Sequence, residues 1–270
     1  MDDRLIGVFD SGLGGLTTVR ELCRLLPEED IVYFGDTGRV PYGSRSRETI
    51  VKYARQDVAF LRTFDLKAIV IACGTVSTTA LDVLAAENPI PVLGVVAPAA
   101  RAAARATRSG SIGLIGTQAS IRSGAYERLI RAENPAARVL AQPCPLFVPL
   151  VENGRFRPGD VVIETVAAEY LAPLKAAGVD TLVLGCTHYP LLEKVIGAYM
   201  GPEVRLINSG AEGARAAADC LRERDALAGP GRGSCRCFVS DRQEDFSRLA
   251  STFLGWDVAQ AVEQVDISQY

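Results

Sequence analysis

The sequence predicts an α/β protein of two pseudo-symmetric domains, each a mostly parallel sheet flanked by helices, with the active site in the cleft between them. Three observations predict it. Short apolar runs alternate with longer helix-like segments along almost the whole chain, the pattern of parallel strands joined by crossover helices. The two halves echo each other: "IGVFDSG" opens a unit that reaches "IVIACGT", and "IGLIGTQAS" opens one that reaches "LVLGCTH". A chain of 270 residues, 48% of them hydrophobic, is also long enough to bury two cores.

The elements follow in order. "LIGVF" reads as a strand, and a Gly-rich loop leads from it into the helix-like "GLTTVRELCRLL". Then come the strand "DIVYFGD", a helix over 46–64, the strand "KAIVIA", a helix over 77–86 and the strand "PVLGVV". "APAARAAARAT" is helical, "SIGLIGT" a strand, 120–132 a helix, "RVLAQP" a strand, 159–177 a helix and "TLVLG" a strand, with a last helix of this unit starting at Pro190. "RLINSGAEGARAAADCLRE" carries the chain back, and "CRCFVSDRQEDFSRLASTFLG" reads as a strand and helix that complete the first domain. The expected domains are residues 1–97 with 208–270, and 98–207, the crossing lying near Val96–Pro98. Folds of this kind bind ligands at the carboxyl ends of their strands.

Composition excludes several function classes. The net charge is -3 and no Lys/Arg-rich block stands out, so no nucleic-acid partner is expected. No apolar stretch reaches the roughly 20 residues that span a bilayer. The start, "MDDRLIGVFDSG", lacks the basic-then-apolar pattern of a signal peptide, and a cytoplasmic protein without membrane partners is expected. Seven cysteines in such a chain read as thiols rather than disulfides. Cys23 and Cys220 fall in amphipathic segments as small buried hydrophobes. Cys144, between two prolines, carries no clear signal. Cys235 and Cys237 are spaced for one face of a strand, and two ligands do not make a zinc site, so no metal is expected.

Cys73 and Cys186 stand apart. Each follows a buried strand and precedes a helix, where backbone N–H groups and the helix dipole favour a thiolate. Each has a threonine directly behind or one residue on, Thr75 and Thr187, whose hydroxyl can bond a carboxylate or cap its helix. His188, the one histidine of the chain, sits at the entrance of the helix that Pro190 begins. It reads as a loop residue, as a general base for Cys186, or as the partner in a Cys-His hydrolase; hydrolysis would leave the second cysteine unexplained. "FDSGLGG" with Asp36 downstream resembles a dinucleotide fingerprint, but Thr17 stands where the third glycine belongs. Asp10 is better read as a functional carboxylate, since an unpaired one is costly to bury. In "DTGRVPYGSRS" the amides of Tyr42 and Gly43 can hold a carboxylate, and the lysines lie in no recognisable pyridoxal-phosphate setting.

Taken together, "FDSGLGGLTTVREL", "YFGDTGRVPYGSRS", "ACGTVST", "IGLIGTQASIRSGAYE" and "LGCTHYPLL" resemble the glutamate racemases of the cofactor-independent aspartate/glutamate racemase superfamily, in order and along nearly the whole chain. The resemblance implies interconversion of L- and D-glutamate without a cofactor, supply of D-glutamate for peptidoglycan, and a homodimer. It implies that Cys73 and Cys186 are the acid/base thiols, assisted by Asp10 and His188. It further implies that Asp10, Ser11, Pro41, Tyr42, Gly43, Gly74, Thr75, Thr117, Ser120, Thr187 and His188 form the substrate site, with Glu152 behind His188. An ordinary thiol pKa near 8.5 would suit exchange near neutral pH. The chain has no N-terminal extension like that of members activated by a cell-wall precursor, so no such control is expected. One departure is that the family's first motif is usually Cys-Asn-Thr; with Gly74 a donor and some volume are expected to be missing. That leaves an aspartate or relaxed-specificity racemase, or a catalytically weak amino-acid-binding regulator, as alternative readings.

Overall fold

Two parallel sheets carry the fold of the computed structural model, which describes residues 1–256 and 262–270. The strands are β1 (Leu5–Asp10), β2 (Ile31–Gly35), β3 (Leu66–Ile71), β4 (Val92–Gly94), β5 (Ser111–Gly116), β6 (Arg138–Pro143), β7 (Thr181–Leu184), β8 (Arg205–Asn208), β9 (Cys235–Val239) and β10 (Val262–Gln264). The first sheet runs β10-β9-β2-β1-β3-β4 and the second β6-β5-β7-β8. Four strands of the first repeat the winding of the second, with β2-β1-β3-β4 matching β6-β5-β7-β8. The echo seen in the sequence is therefore a repeat of topology. Every described pairing is parallel. β1, β2, β3 and β7 are buried over nearly their whole length. Helices cover both faces of the sheets, which is why these strands read as unbroken Val/Ile/Leu runs.

The helices are α1 (Leu16–Leu25), α2 (Arg47–Leu61), α3 (Gly74–Thr79), α4 (Leu81–Glu87), α5 (Val96–Ala106), α6 (Gln118–Arg122), α7 (Ala125–Glu133), α8 (Phe147–Glu152), α9 (Val161–Ala176), α10 (Glu193–Met200), α11 (Ser209–Glu223) and α12 (Gln243–Leu254). Side-chain caps start four of them: Ser46, Thr117, Asp160 and Asn208 each accept an amide of the first turn. Two expected helices are each split in two. The helix expected over 77–86 begins directly after Cys73 and breaks at Ala80 into α3 and α4. That expected over 120–132 breaks at Gly124, whose φ of 63° lies in the left-handed region that glycine tolerates best, giving α6 and α7. The helix expected from Pro190 opens as the 3₁₀ turn Tyr189–Leu192 before α10. α8 has no counterpart in the sequence-based reading.

One apolar cluster joins the two sheets. It runs from Ile6, Val8 and Leu16 through Ala214 and Ala217 of α11 to Leu182, Leu184 and Leu192. α11 follows β8 and packs on α1 and α5. Thr17 adds a polar link: its hydroxyl donates to the Thr187 carbonyl at 2.9 Å. A buried, shared core of this kind holds the carboxyl ends of the two sheets in a fixed relation, and the loops there face one another.

Candidate active site

Four strand ends meet at one cavity. Ser11 follows β1, Cys73 lies two residues beyond β3, Thr117 follows β5, and Gly185 and Cys186 follow β7. With the 3₁₀ turn Tyr42–Ser44 and α8 they enclose about 410 Å³. The lining includes Ser11, Pro41, Tyr42, Gly43, Cys73, Gly74, Thr75, Thr117, Glu152, Cys186, Thr187 and His188. Asp10 and Ser120, also expected at the site, lie behind its wall, each about 1% exposed.

On the first-sheet side, Cys73 immediately precedes α3 and its Sγ lies 3.4 Å from Ser11 Oγ. Burial and the neighbouring Asp10 carboxylate push the Cys73 thiol up to about 12, against hydrogen bonds from Ser11 and the Val76 amide. That is above the ordinary value expected from sequence, because burial and a negative neighbour both disfavour thiolate; a ligand ammonium entering the cavity acts in the opposite sense. Asp10 Oδ2 accepts the Gly15 amide at 3.0 Å, whereas Oδ1 is buried without a hydrogen bond. Burial raises the Asp10 pKa, opposed by the charge of His188 and the amides of Gly15 and Gly12.

On the second-sheet side, His188 Nδ1 lies 4.0 Å from Cys186 Sγ and 3.4 Å from Thr187 Oγ1, while Nε2 lies 2.9 Å from Glu152 Oε1. Burial opposes a charge on His188, but hydrogen bonds with Cys186 and Glu152 outweigh it and hold its pKa up at about 10. An imidazolium placed there can pass a proton to the sulfur or take one back. Between the two sides, Thr75 and Thr117 meet across the cleft at 3.1 Å, and Thr117 donates on to Ser120 Oγ at 3.0 Å. Ser120 thus orients Thr117 from behind the wall.

Gly74 departs from the sequence-based expectation. No empty volume stands where a side chain is missing: a Cβ on Gly74 would lie 2.7 Å from the Gly185 carbonyl oxygen, closer than Cβ atoms approach. The start of α3 and the loop after β7 come together there, leaving no room for a Cβ between them. Cys144, Pro145, Val148 and Pro149 form an apolar wall that sequence reasoning missed. The signal was the internal repeat: Cys144 follows β6, the counterpart of β2, and the loop after β2 also borders the site. Asp36, which the dinucleotide-like reading would put on a ribose, is instead buried against Arg39, Tyr42 and Ser240. Of the remaining cysteines, Cys237 is buried and Cys23, Cys220 and Cys235 are half-buried. Among the described residues, no group of acidic, histidine or cysteine side chains is arranged to hold a metal, and no helix is long and apolar enough to cross a membrane.

The pattern of the Asp/Glu/hydantoin racemase family matches residues 8–217. A glutamate racemase of Geobacter metallireducens is 49% identical over 93% of this chain and 93% of its own. Among solved structures, a glutamate racemase isoform from Bacillus anthracis superposes with a TM-score of 0.93 at 38% identity, covering 98% of both chains. The Francisella tularensis glutamate racemase in complex with D-glutamate superposes with a TM-score of 0.92 at 37% identity, covering 100% of both chains. A match of this extent in both sequence and structure leaves one conclusion: the chain belongs to the Asp/Glu/hydantoin racemase family.

Proposed function

We propose that the protein is a glutamate racemase that interconverts L- and D-glutamate by proton transfer between Cys73 and Cys186. The observation that carries this reading is that the two cysteines, at matching strand ends of the two sheets, line one cavity. Inverting a stereocentre requires a proton taken from one face and another delivered to the opposite face. One thiolate abstracts the α-proton and becomes a thiol; the thiol opposite protonates the carbanion and becomes a thiolate. The reverse reaction restores the first state.

The carbanion is the barrier, and preorganised donors lower it. Thr75, Thr117 and the amides of Tyr42 and Gly43 are suited to the substrate carboxylates. Asp10 and Ser11 act on Cys73. His188, held by Glu152, acts on Cys186, and Thr187 and Pro41 complete the wall. We assign residues 1–97 with 208–270 to the first domain and 98–207 to the second, a division supported by the sheet memberships of the strands. A homodimer, a cytoplasmic location and a role in supplying D-glutamate for peptidoglycan are part of the same reading, supported by the family resemblance.

Incubation with either glutamate enantiomer in D₂O, without added pyridoxal phosphate, tests the reaction. The α-proton is expected to exchange while optical rotation decays to zero. Cys73→Ala and Cys186→Ala should each abolish racemisation; normal racemisation by either would overturn the two-thiol assignment.

A further inference from the structure

Outside the cavity, two buried carboxylates share one cation. Asp36, just beyond β2, and Asp57, on α2, are both 0% exposed. Arg39, in the 3₁₀ turn Thr37–Arg39, lies between them: Nε donates to Asp36 Oδ2 at 2.6 Å and Nη2 to Asp57 Oδ1 at 2.9 Å. Its Nη1 donates to Gln56 Oε1 at 2.6 Å, and the guanidinium stacks 4.2 Å over the Tyr53 ring. Tyr42 Oη lies within reach of both acids, in a short contact with Asp36 Oδ2 and 3.1 Å from Asp57 Oδ2. Ser240 Oγ donates to Asp36 Oδ1 at 2.7 Å.

Counting protons decides the charge states. A phenol has one proton to donate, and the shorter contact takes it to Asp36. Asp36 then accepts from three groups, Arg39, Tyr42 and Ser240, as an ionised carboxylate does. The remaining contact, Asp57 Oδ2 to Tyr42 Oη, has no proton unless Asp57 supplies it. We propose that Asp57 is protonated in the folded protein and donates to Tyr42 Oη, so that a chain Asp57–Tyr42–Asp36 clamps the cavity-lining segment Pro41–Gly43 onto the first sheet. Asp57 is thereby a positioning residue. The assignment leaves one carboxylate for one guanidinium, which avoids an uncompensated buried charge.

The groups facing Asp57 agree with it. They are Asp36 from the end of β2, Arg39 and Tyr42 from the two turns, and Asp10 from the end of β1. Burial and the Asp36 charge raise the Asp57 pKa well above the carboxylate range, outweighing Arg39.

The test compares Asp57→Asn, whose amide supplies the same donor without charge, with Asp36→Asn. Unfolding is followed from pH 5 to 9. In the unfolded chain Asp57 ionises near its ordinary value of about 4. Folding of the unmodified protein therefore takes up one proton across this range. Its folding constant relative to Asp57→Asn should fall about tenfold per pH unit below the raised pKa. Asp36→Asn should be less stable than Asp57→Asn at every pH, because it loses the charge that three donors face. Parallel pH profiles for Asp57→Asn and the unmodified protein would overturn the proposal, as would an Asp36→Asn variant the more stable of the two. A kinetic arm rests on the proposed racemase reaction, whereas the unfolding arm does not, so failure of one is distinguishable from failure of the other. Asp57→Ala should raise KM for glutamate about tenfold with a smaller change in kcat, since a loosened wall weakens binding first. Asparagine at that position should recover most of the loss; no recovery would count against the clamp.

Discussion

Gly74 is the place where a single methyl group tests the geometry of the cleft. In Gly74→Ala the new Cβ would lie 2.7 Å from the Gly185 carbonyl oxygen, against ordinary contact at 3.4 Å or more. Gly185 has little room to retreat. Its N–H donates to Ile115 at 2.8 Å, and the Ile115 carbonyl, Leu114 and Tyr126 close its other side. The displacement, about 0.7 Å if the full deficit opens, therefore passes into the gap between α3 and the end of β7. Cys73 and Cys186 are the immediate chain neighbours of the two glycines, so the sulfurs move with it. Misplacement of 1 Å at a reacting centre costs on the order of 100-fold in rate, and half to all of this shift scales to about 5- to 25-fold in kcat. That is about 1–2 kcal/mol of activation free energy.

The assay is polarimetric racemisation from each enantiomer at saturating glutamate, with the melting temperature confirming an intact fold. Gly74→Asn separates the two effects of a side chain at this position. It carries the same Cβ as alanine and adds an amide donor, worth about 1.5–3 kcal/mol against a charged group. Its KM should therefore lie about tenfold or more below that of Gly74→Ala. A Gly74→Ala enzyme with kcat within twofold of the unmodified one would refute the argument that this contact sets the separation of the thiols.

Three further outcomes follow from the same coordinates. Burial and Asp10 hold Cys73 at about 12, so its labelling by iodoacetamide, read by peptide mass spectrometry, should rise about tenfold per pH unit between pH 7 and 11. Asp10→Asn should speed that labelling at pH 8, and an unchanged rate would remove Asp10 from the account. His188, the only histidine of the chain, gives one set of ring C–H resonances whose NMR titration should centre near pH 10. Because that value exceeds the ordinary 6.5 of an unfolded histidine, the stability it contributes is complete below about pH 6.5 and is lost as pH rises through 10. Glu152→Gln should lower the titration midpoint and reduce stability below pH 6.5, modestly, since the Glu152 side chain is 37% exposed and water screens the pair. Away from the site, Lys67 and Glu29 form a 2.5 Å ion pair with side chains 0% and 2% exposed, and Lys67 also donates to the Asp2 carbonyl. Lys67→Met leaves a buried carboxylate unpaired and should cost about 3–5 kcal/mol in denaturant unfolding.

What the sequence made legible was local. A cysteine after an apolar run and before a helix pattern announces its own position at a strand's carboxyl end, and Cys73, Cys186 and His188 all lie where that pattern put them. Asp10 was legible because a carboxylate inside a buried run calls for an explanation. The remainder depends on what the chain meets after folding. Nothing near Gly74 in sequence tells that Gly185 stands opposite, so its missing side chain read as a void rather than a contact. Cys144 looked featureless because its wall is completed by α8 and the end of β7. Asp57 falls on the buried face of α2 with Ile50, Ala54, Val58 and Leu61, but the turn that brings Arg39 and Tyr42 over it as partners is distant in sequence. The break at Gly124 was hidden because an isolated glycine in a helical pattern is tolerated as readily as it is used to turn.

The repeated winding of the two sheets raises the question of how alike the two thiols must be. Enantiomers have equal free energy in water, so kcat/KM must be the same in both directions however the surroundings of the sulfurs differ. Balanced interconversion therefore does not require matched environments, and the differences divide only between kcat and KM. What inversion does require is approach from opposite faces, and in the proposed reaction two copies of one strand–loop–helix unit, each bringing a cysteine to the shared cavity, would supply it. The surroundings of the two sulfurs can therefore differ. One cysteine has a buried carboxylate and a serine beside it; the other has a histidine tethered to a glutamate. In the proposed reaction His188 is thus the asymmetric part of a pseudo-symmetric arrangement, beside one sulfur and not the other, where it can set one proton transfer apart from the other.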